Sequence, residues 1–219
     1  MERNIINRLN RKERSETQRA RMIAKASVLF WKKGYQGTSM KDIAKAFGCN
    51  PANIYNYFPN KQALLFEIIK IQTEQTISYI KHLENDEEGK PIEQLRYVIS
   101  KHLNYVLTYR KSSKLLFDIG LDSLSPAKRK EIVALRDEYD GILGKVIRRG
   151  IQSGDFAKNI DIKLAVYNIA SMILRTIIWF SPEGRKSVDE ITDFLFTFAL
   201  NGLRGELRPS IFQKKGAIS

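Results

Sequence analysis

The chain has 219 residues and 37 Lys or Arg against 24 Asp or Glu, a formal net charge of +13. The excess is uneven: residues 1–61 hold 13 Lys or Arg against 4 Asp or Glu, a pattern of a polyanion-binding module on a nearly neutral body rather than a merely solubilised surface. The length allows ample apolar burial, and the single cysteine, Cys49, excludes an intramolecular disulfide framework and suits a reducing cytoplasm.

In chain order, residues 1–14 carry Arg3, Arg8, Arg11, Lys12 and Arg14 and read as a flexible basic arm. Such an arm either tracks phosphates or enters a minor groove, or is a disordered, soluble tail. A first helix is expected from Ser15 to Lys33, with Ile23, Ala26 and Phe30 on its apolar side and Gly34 as terminator. Ser39 precedes Asp42 by three residues, the spacing of a capping box, and Ile43, Ala44 and Phe47 follow as a short apolar face. Gly48 takes positive φ without steric cost and ends that helix. Asn50 and Pro51 then supply an N-cap and a first-turn proline, so a new helix starts there. Pro59 ends it and Asn60 caps the next. Two short helices across a tight turn predict a helix-turn-helix.

A fourth helix carries Leu64, Leu65, Ile68, Ile71 and Ile77, and the acidic run at 85–89 reads as a solvated loop. Pro91 opens a fifth helix to about Arg110, with others expected near 112–122, 125–153, 161–180 and 187–204. The fold class is therefore all-α. The expected division is a helix-turn-helix domain over 15–61, a helical body over 62–204 and a tail over 205–219. The N-terminus has no secretory pattern. The apolar stretch 164–180 is short for a membrane span and interrupted by Asn168 and Arg175, so it is expected as a buried helix of a soluble protein.

The second short helix surrounds an expected core pair, Ile54 and Phe58, with Pro51, Ala52, Asn53, Tyr55, Asn56 and Tyr57. A recognition helix sets its N-terminal residues against base edges. Asn53 has the donor and acceptor pair for adenine, and Tyr55 suits a base edge or a thymine methyl. Tyr57 suits a phosphate oxygen. Lys61 adds a cation at a helix N-terminus that itself attracts phosphate, and Thr38 and Ser39 offer further donors. Packing of Tyr55 and Tyr57 between helices is the alternative.

The strings from Gly34 to Gly48 and from Asn53 to Leu64 resemble the DNA-binding head of the tetracycline-repressor (TetR) family, over roughly residues 15–65. That resemblance implies that Ala52, Asn53, Tyr55 and Tyr57 read DNA or hold its backbone, and that Lys61 binds phosphate. It also implies a homodimer, usually a repressor, whose variable body binds a small effector. Asn50-Pro51 stands where a Ser-Lys or similar pair is more usual, which bears on the bases read.

In the body, Val188, Ile191, Leu195, Phe198 and Gly202 follow helical spacing. Helix 161–180 has one stripe of Ile162, Val166, Ile169, Ile173, Ile177 and Phe180, and another of Tyr167, Leu174 and Ile178. A helix apolar on several sides needs cover on several sides, so residues 161–204 are expected to form a four-helix dimer seam. An intramolecular core is the alternative. Tyr97, Phe117, Tyr139, Tyr167 and Met172 are candidates to line an effector pocket. Arg175 and Trp179, four residues apart, and Arg185 beyond them could hold a flat ring and phosphates. The segment Trp179–Ile191 resembles the C-terminal domain of TetR regulators that answer to acyl-CoA thioesters. A multidrug-type sensor of lipophilic cations would use acids such as Asp118, Asp122 and Glu138 instead, and a regulator without effector would have a solid body. An enzyme is not expected: His82 and His102 lack metal-ligand spacing, Cys49 has no visible base, and no phosphate loop occurs. No metal or resident cofactor is expected.

Overall fold

Helix signals decide the start and end of nearly every element in the computed structural model, which describes residues 2–110 and 121–205. The helices are α1 (Glu2–Lys33), α2 (Met40–Phe47), α3 (Pro51–Tyr55), α4 (Lys61–Ile80), α5 (Pro91–Thr108), α6 (Pro126–Ser153), α7 (Ile162–Trp179) and α8 (Val188–Arg204), with a 3-10 turn at Lys81–Glu84. No strand occurs among the described residues. The helix expected near 112–122 lies almost wholly outside them.

Two expected boundaries shift. The first helix starts at Glu2 rather than Ser15, so residues 2–14 are helical and not a loose arm. Neither Gly nor Pro occurs before Gly34, and an uninterrupted run of helix formers propagates at little cost once nucleated. The other expected boundary, residue 61, falls inside one compact unit. The chain divides into two compact units, Met1–Gln75 with Thr108–Arg136, and Thr76–Leu107 with Asp137–Ser219.

In the first unit, Met22, Ala26 and Phe30 of α1 bury against Ile43, Ile54 and Phe58, and Leu64, Leu65, Ile68 and Ile69 of α4 close the core. Leu124 and Ile132 join the same cluster, so the start of α6 belongs to the head. Ile71, expected in the apolar face of α4, is exposed, and Ile69 is buried instead. Within the second unit, Leu95, Ile99 and Leu103 of α5 are fully buried, as are Leu143, Val146 and Ile147 of α6. Arg149 ties this unit's loop: its Nη2 donates to Leu83 O (2.9 Å) and Gln94 Oε1 (3.0 Å), while Gln94 Nε2 donates to Asp86 O (2.9 Å).

Helix α7 is not covered all round. Val166, Ile169, Ile173, Thr176 and Ile177 are buried, while Leu164, Tyr167, Ile178 and Trp179 are exposed. By length and composition alone α7 could cross a membrane, its 18 residues having a mean hydropathy of 1.3, yet Lys163, Asn168 and Arg175 lie within it. On α8, Ile191, Leu195, Ala199 and Leu203 are buried. Phe198, expected with Ile191 and Leu195, points elsewhere and stacks on Phe194, centroids 6.3 Å apart.

Candidate nucleic-acid interface

Local chemistry builds the helix-turn-helix. Ser39 Oγ accepts from Asp42 N (3.1 Å), and Ser39 N donates to Asp42 Oδ2 (2.9 Å), closing the expected capping box at the start of α2. Hydrogen bonds from Ser39, with Lys33 beside it, hold the Asp42 carboxyl well below the usual carboxylate range. Gly48 ends α2 at φ 79° and donates to Ala44 O. Cys49 N reaches the same carbonyl at 3.0 Å, and its half-buried side chain packs against the head core, which favours a structural role for the thiol. Asn50 Oδ1 accepts from Ala52 N (3.0 Å), and Pro51 occupies the first turn of α3.

Helix α3 is shorter than expected, ending at Tyr55 rather than near Pro59. Tyr57 N and Phe58 N both donate to Ile54 O, which turns the chain so that Phe58 enters the core. Asn60 Oδ1 caps α4 by accepting from Ala63 N (2.8 Å). The buried side of this segment is Ile54 and Phe58, as expected. Ala52, Asn53, Tyr55 and Asn56 are exposed together, Tyr55 by 51%, and Pro51 is half-buried. A short helix that presents two amides and a phenol from an otherwise capped and packed motif has the parts for base-edge reading.

Four other candidates are used differently in the structure. Thr38 is 1% exposed, and its hydroxyl donates to Gly34 O (2.8 Å), so it locks the turn after α1 instead of offering a donor outward. The hydroxyl and N–H of Ser39 are both committed to Asp42. Tyr57 is half-buried, and its hydroxyl donates to Gln18 Oε1 (2.8 Å) on α1. Lys61 Nζ donates to Tyr35 O (2.7 Å) and lies 4.4 Å from the Tyr35 ring centroid, fixing the α1–α2 connection to the start of α4. Sequence alone marks these residue types as donors but not the carbonyls that the fold brings to them.

Among the described residues, the expected effector candidates fall in different settings. Phe117 lies outside the described residues. Tyr139 is buried in the body, where its hydroxyl sits 2.7 Å from His102 Nδ1. Burial pushes the imidazole down to about 4 and the phenol up. Tyr97 meets His82 edge-on, centroids 5.2 Å apart, and Met172 is half-buried. Arg175, Arg185 and Trp179 are exposed, Trp179 by 57%, so they lie on a surface and not inside the body. Only Tyr167 of the expected set borders the groove between α6 and α7. That groove, of about 480 Å³, is also lined by Lys145, Arg148, Lys163, Asp137 and Asp140, with Gly141 and Gly144 on the α6 side. Of the acids considered for a cation sensor, Glu138 accepts from Lys81 (2.7 Å) and Asp122 from Arg129 (3.1 Å), and Asp118 is outside the described residues.

Comparison with known proteins decides the family. Residues 88–203 match the tetracyclin repressor-like C-terminal domain, and residues 22–68 match the bacterial regulatory proteins of the tetR family. The chain belongs to the TetR family. It is 26% identical to the Fatty acid metabolism regulator protein of Bacillus subtilis (strain 168), over 79% of this chain and 89% of that protein. It is similar to the TetR family transcriptional regulator PfmR from Thermus thermophilus, with a TM-score of 0.74 and 30% identity over 86% of this chain and 100% of that one. AibR, solved in complex with isovaleryl coenzyme A and operator DNA, shares the fold at a TM-score of 0.74 and 24% identity, over 83% of this chain and 97% of that one. These TetR relatives are regulators by name, not enzymes.

Proposed function

We propose that this TetR regulator is a dimeric repressor that reads an operator with Ala52, Asn53, Tyr55 and Asn56 and is released by an acyl-CoA thioester. The observation that carries the DNA reading is the outward set on α3, held by a capped turn and a buried Ile54. Its side chains suit base edges, whereas Tyr57 and Lys61 hold the helix in place through Gln18 and Tyr35. A basic head supplies the sequence-independent attraction to duplex phosphates.

Dimerisation is supported by the uncovered apolar side of α7 and α8. Leu164, Tyr167, Ile178 and Trp179 face outward, and Phe194 and Phe198 are 68% and 50% exposed. A symmetric second copy would cover them with the same surface, and two heads would then meet half-sites about one helical turn apart or a multiple of it.

The effector class is supported by two named relatives, a fatty acid metabolism regulator and a protein solved with isovaleryl coenzyme A. Chemistry in the body agrees. Arg148, Lys163 and Lys145, the last also donating to Glu84 (3.0 Å), line the α6–α7 groove together with Asp137 and Asp140, and Lys163 Nζ lies 5.7 Å from the Tyr167 ring centroid, cations that suit anionic groups beside a flat ring. Of the acids considered for a lipophilic cation, Glu138 and Asp122 are already paired. Release requires that the effector bind the operator-competent and incompetent states unequally.

The test is a thermal-shift series with acyl-CoA thioesters, free acids and lipophilic cations, followed by operator titration with any binder. A ligand at a hundred times its Kd adds about 2.7 kcal/mol to stability. A shift with acyl-CoA that also lowers operator affinity supports the reading. A shift with cations alone, or operator binding indifferent to acyl-CoA, sinks the effector assignment and leaves the DNA reading standing.

A further inference from the structure

We propose that the first half of α1 is a second DNA-contacting element, a rigid basic row that lies on duplex phosphates beside α3. This inference rests on the DNA reading above. The row consists of Arg11, Arg14 and Arg21, continued by Lys25. At about 100° per residue these four and Gln18 fall within an arc of about 80° on α1. The arc faces the reading motif. Gln18 accepts from the Tyr57 hydroxyl just past α3, Arg21 lies 5.8 Å from the Phe47 ring centroid, and Lys25 Nζ donates to Ala46 O (2.9 Å).

Charge is sorted around the helix. Glu13 and Glu16 project from the opposite side. Beyond residue 10, the off-row cations of this half are ion-paired, Lys12 with Glu16 (3.9 Å) and Arg19 with Glu67 (2.7 Å). Among the described residues no carboxylate pairs with Arg11, Arg14, Arg21 or Lys25. A merely solvated helix mixes signs at three- and four-residue spacing; a one-signed arc continuous with a DNA-reading motif fits a polyanion.

The form of the row selects duplex backbone. From Arg11 to Arg21 it spans about 15 Å, a little under half a turn of B-DNA. Between those residues the arc carries no aromatic side chain on which single-stranded bases could stack and no exposed apolar group to enter a membrane surface. Because residues 2–14 continue the helix, the row is held straight rather than paid out as a flexible arm. Contacts of this kind position the head and carry no sequence information.

The experiment is fluorescence-anisotropy titration of the full chain with a mixed-sequence duplex of about three helical turns, over a series of salt concentrations. Circular dichroism verifies that each variant keeps its helix content. The double substitution Arg11→Ala/Arg14→Ala should lower the slope of log K against log salt by about 2, close to one phosphate contact per arginine. Arg11→Lys/Arg14→Lys should restore most of that slope, and Lys12→Ala should leave it at the wild-type value. An unchanged slope in the alanine pair, or an equal loss in Lys12→Ala, overturns the row. Absence of salt-dependent duplex binding by the wild-type chain would instead overturn the DNA reading itself.

Discussion

The buried pair His102 and Tyr139 makes the body's stability depend on pH with a definite sign. His102 is 6% exposed, its Nδ1 lies 2.7 Å from the Tyr139 hydroxyl, and burial lowers its pKa from 6.5 to about 4. The unfolded chain therefore binds a proton first as pH falls. The imidazole's contribution is fully present above about 6.5, is lost as pH falls toward about 4, and is exhausted below it. One pKa unit is worth about 1.4 kcal/mol, so this one group removes about 2 kcal/mol by pH 5 and about 3 kcal/mol below pH 4. Urea unfolding at fixed protein concentration, from pH 7 to pH 4, should be compared between the wild-type chain and His102→Gln. The difference between their unfolding free energies should shrink by those amounts as pH falls. A difference that stays constant across the range would mean that His102 takes up its proton as readily in the folded body as in the unfolded chain, and that its site admits water.

Other outcomes test the interface and the seam. Asn53→Ala should weaken operator binding by about 1–3 kcal/mol and relax one base position; equal loss on every sequence in a binding-site selection would remove Asn53 from base reading. Lys61→Ala should cost about 1.5–3 kcal/mol of stability in denaturant, because its ammonium holds Tyr35 O. A lower salt slope for DNA binding with stability unchanged would make it a phosphate ligand instead. Phe194→Glu with Phe198→Glu should weaken the dimer by more than about 3 kcal/mol, over a hundredfold in its dissociation constant. Sedimentation that shows an unchanged dimer would place the seam elsewhere.

The sequence by itself determined the punctuation of this chain. Ser39 with Asp42, Gly48, Asn50 with Pro51, Asn60 and Pro91 act through hydrogen bonds and backbone angles within a few residues of themselves, so helix ends could be read without tertiary knowledge. Helical spacing likewise placed Ile54 and Phe58 inward and Asn53 and Tyr55 outward. The start of α1 is not legible in this way, because the charge of residues 2–14 resembles that of a loose arm while no residue there breaks the helix.

Only the tertiary structure shows which partners the polar candidates have within the chain. Thr38, Tyr57 and Lys61 have the right chemistry for phosphate, yet their partners are Gly34 O, Gln18 and Tyr35 O, the last two brought near from 39 and 26 residues away. It also decided that Leu124 and Ile132 belong to the head and that Phe198 turns away from Leu195. Side-chain periodicity gives a direction about one helix axis, but it carries no information about which distant group waits in that direction.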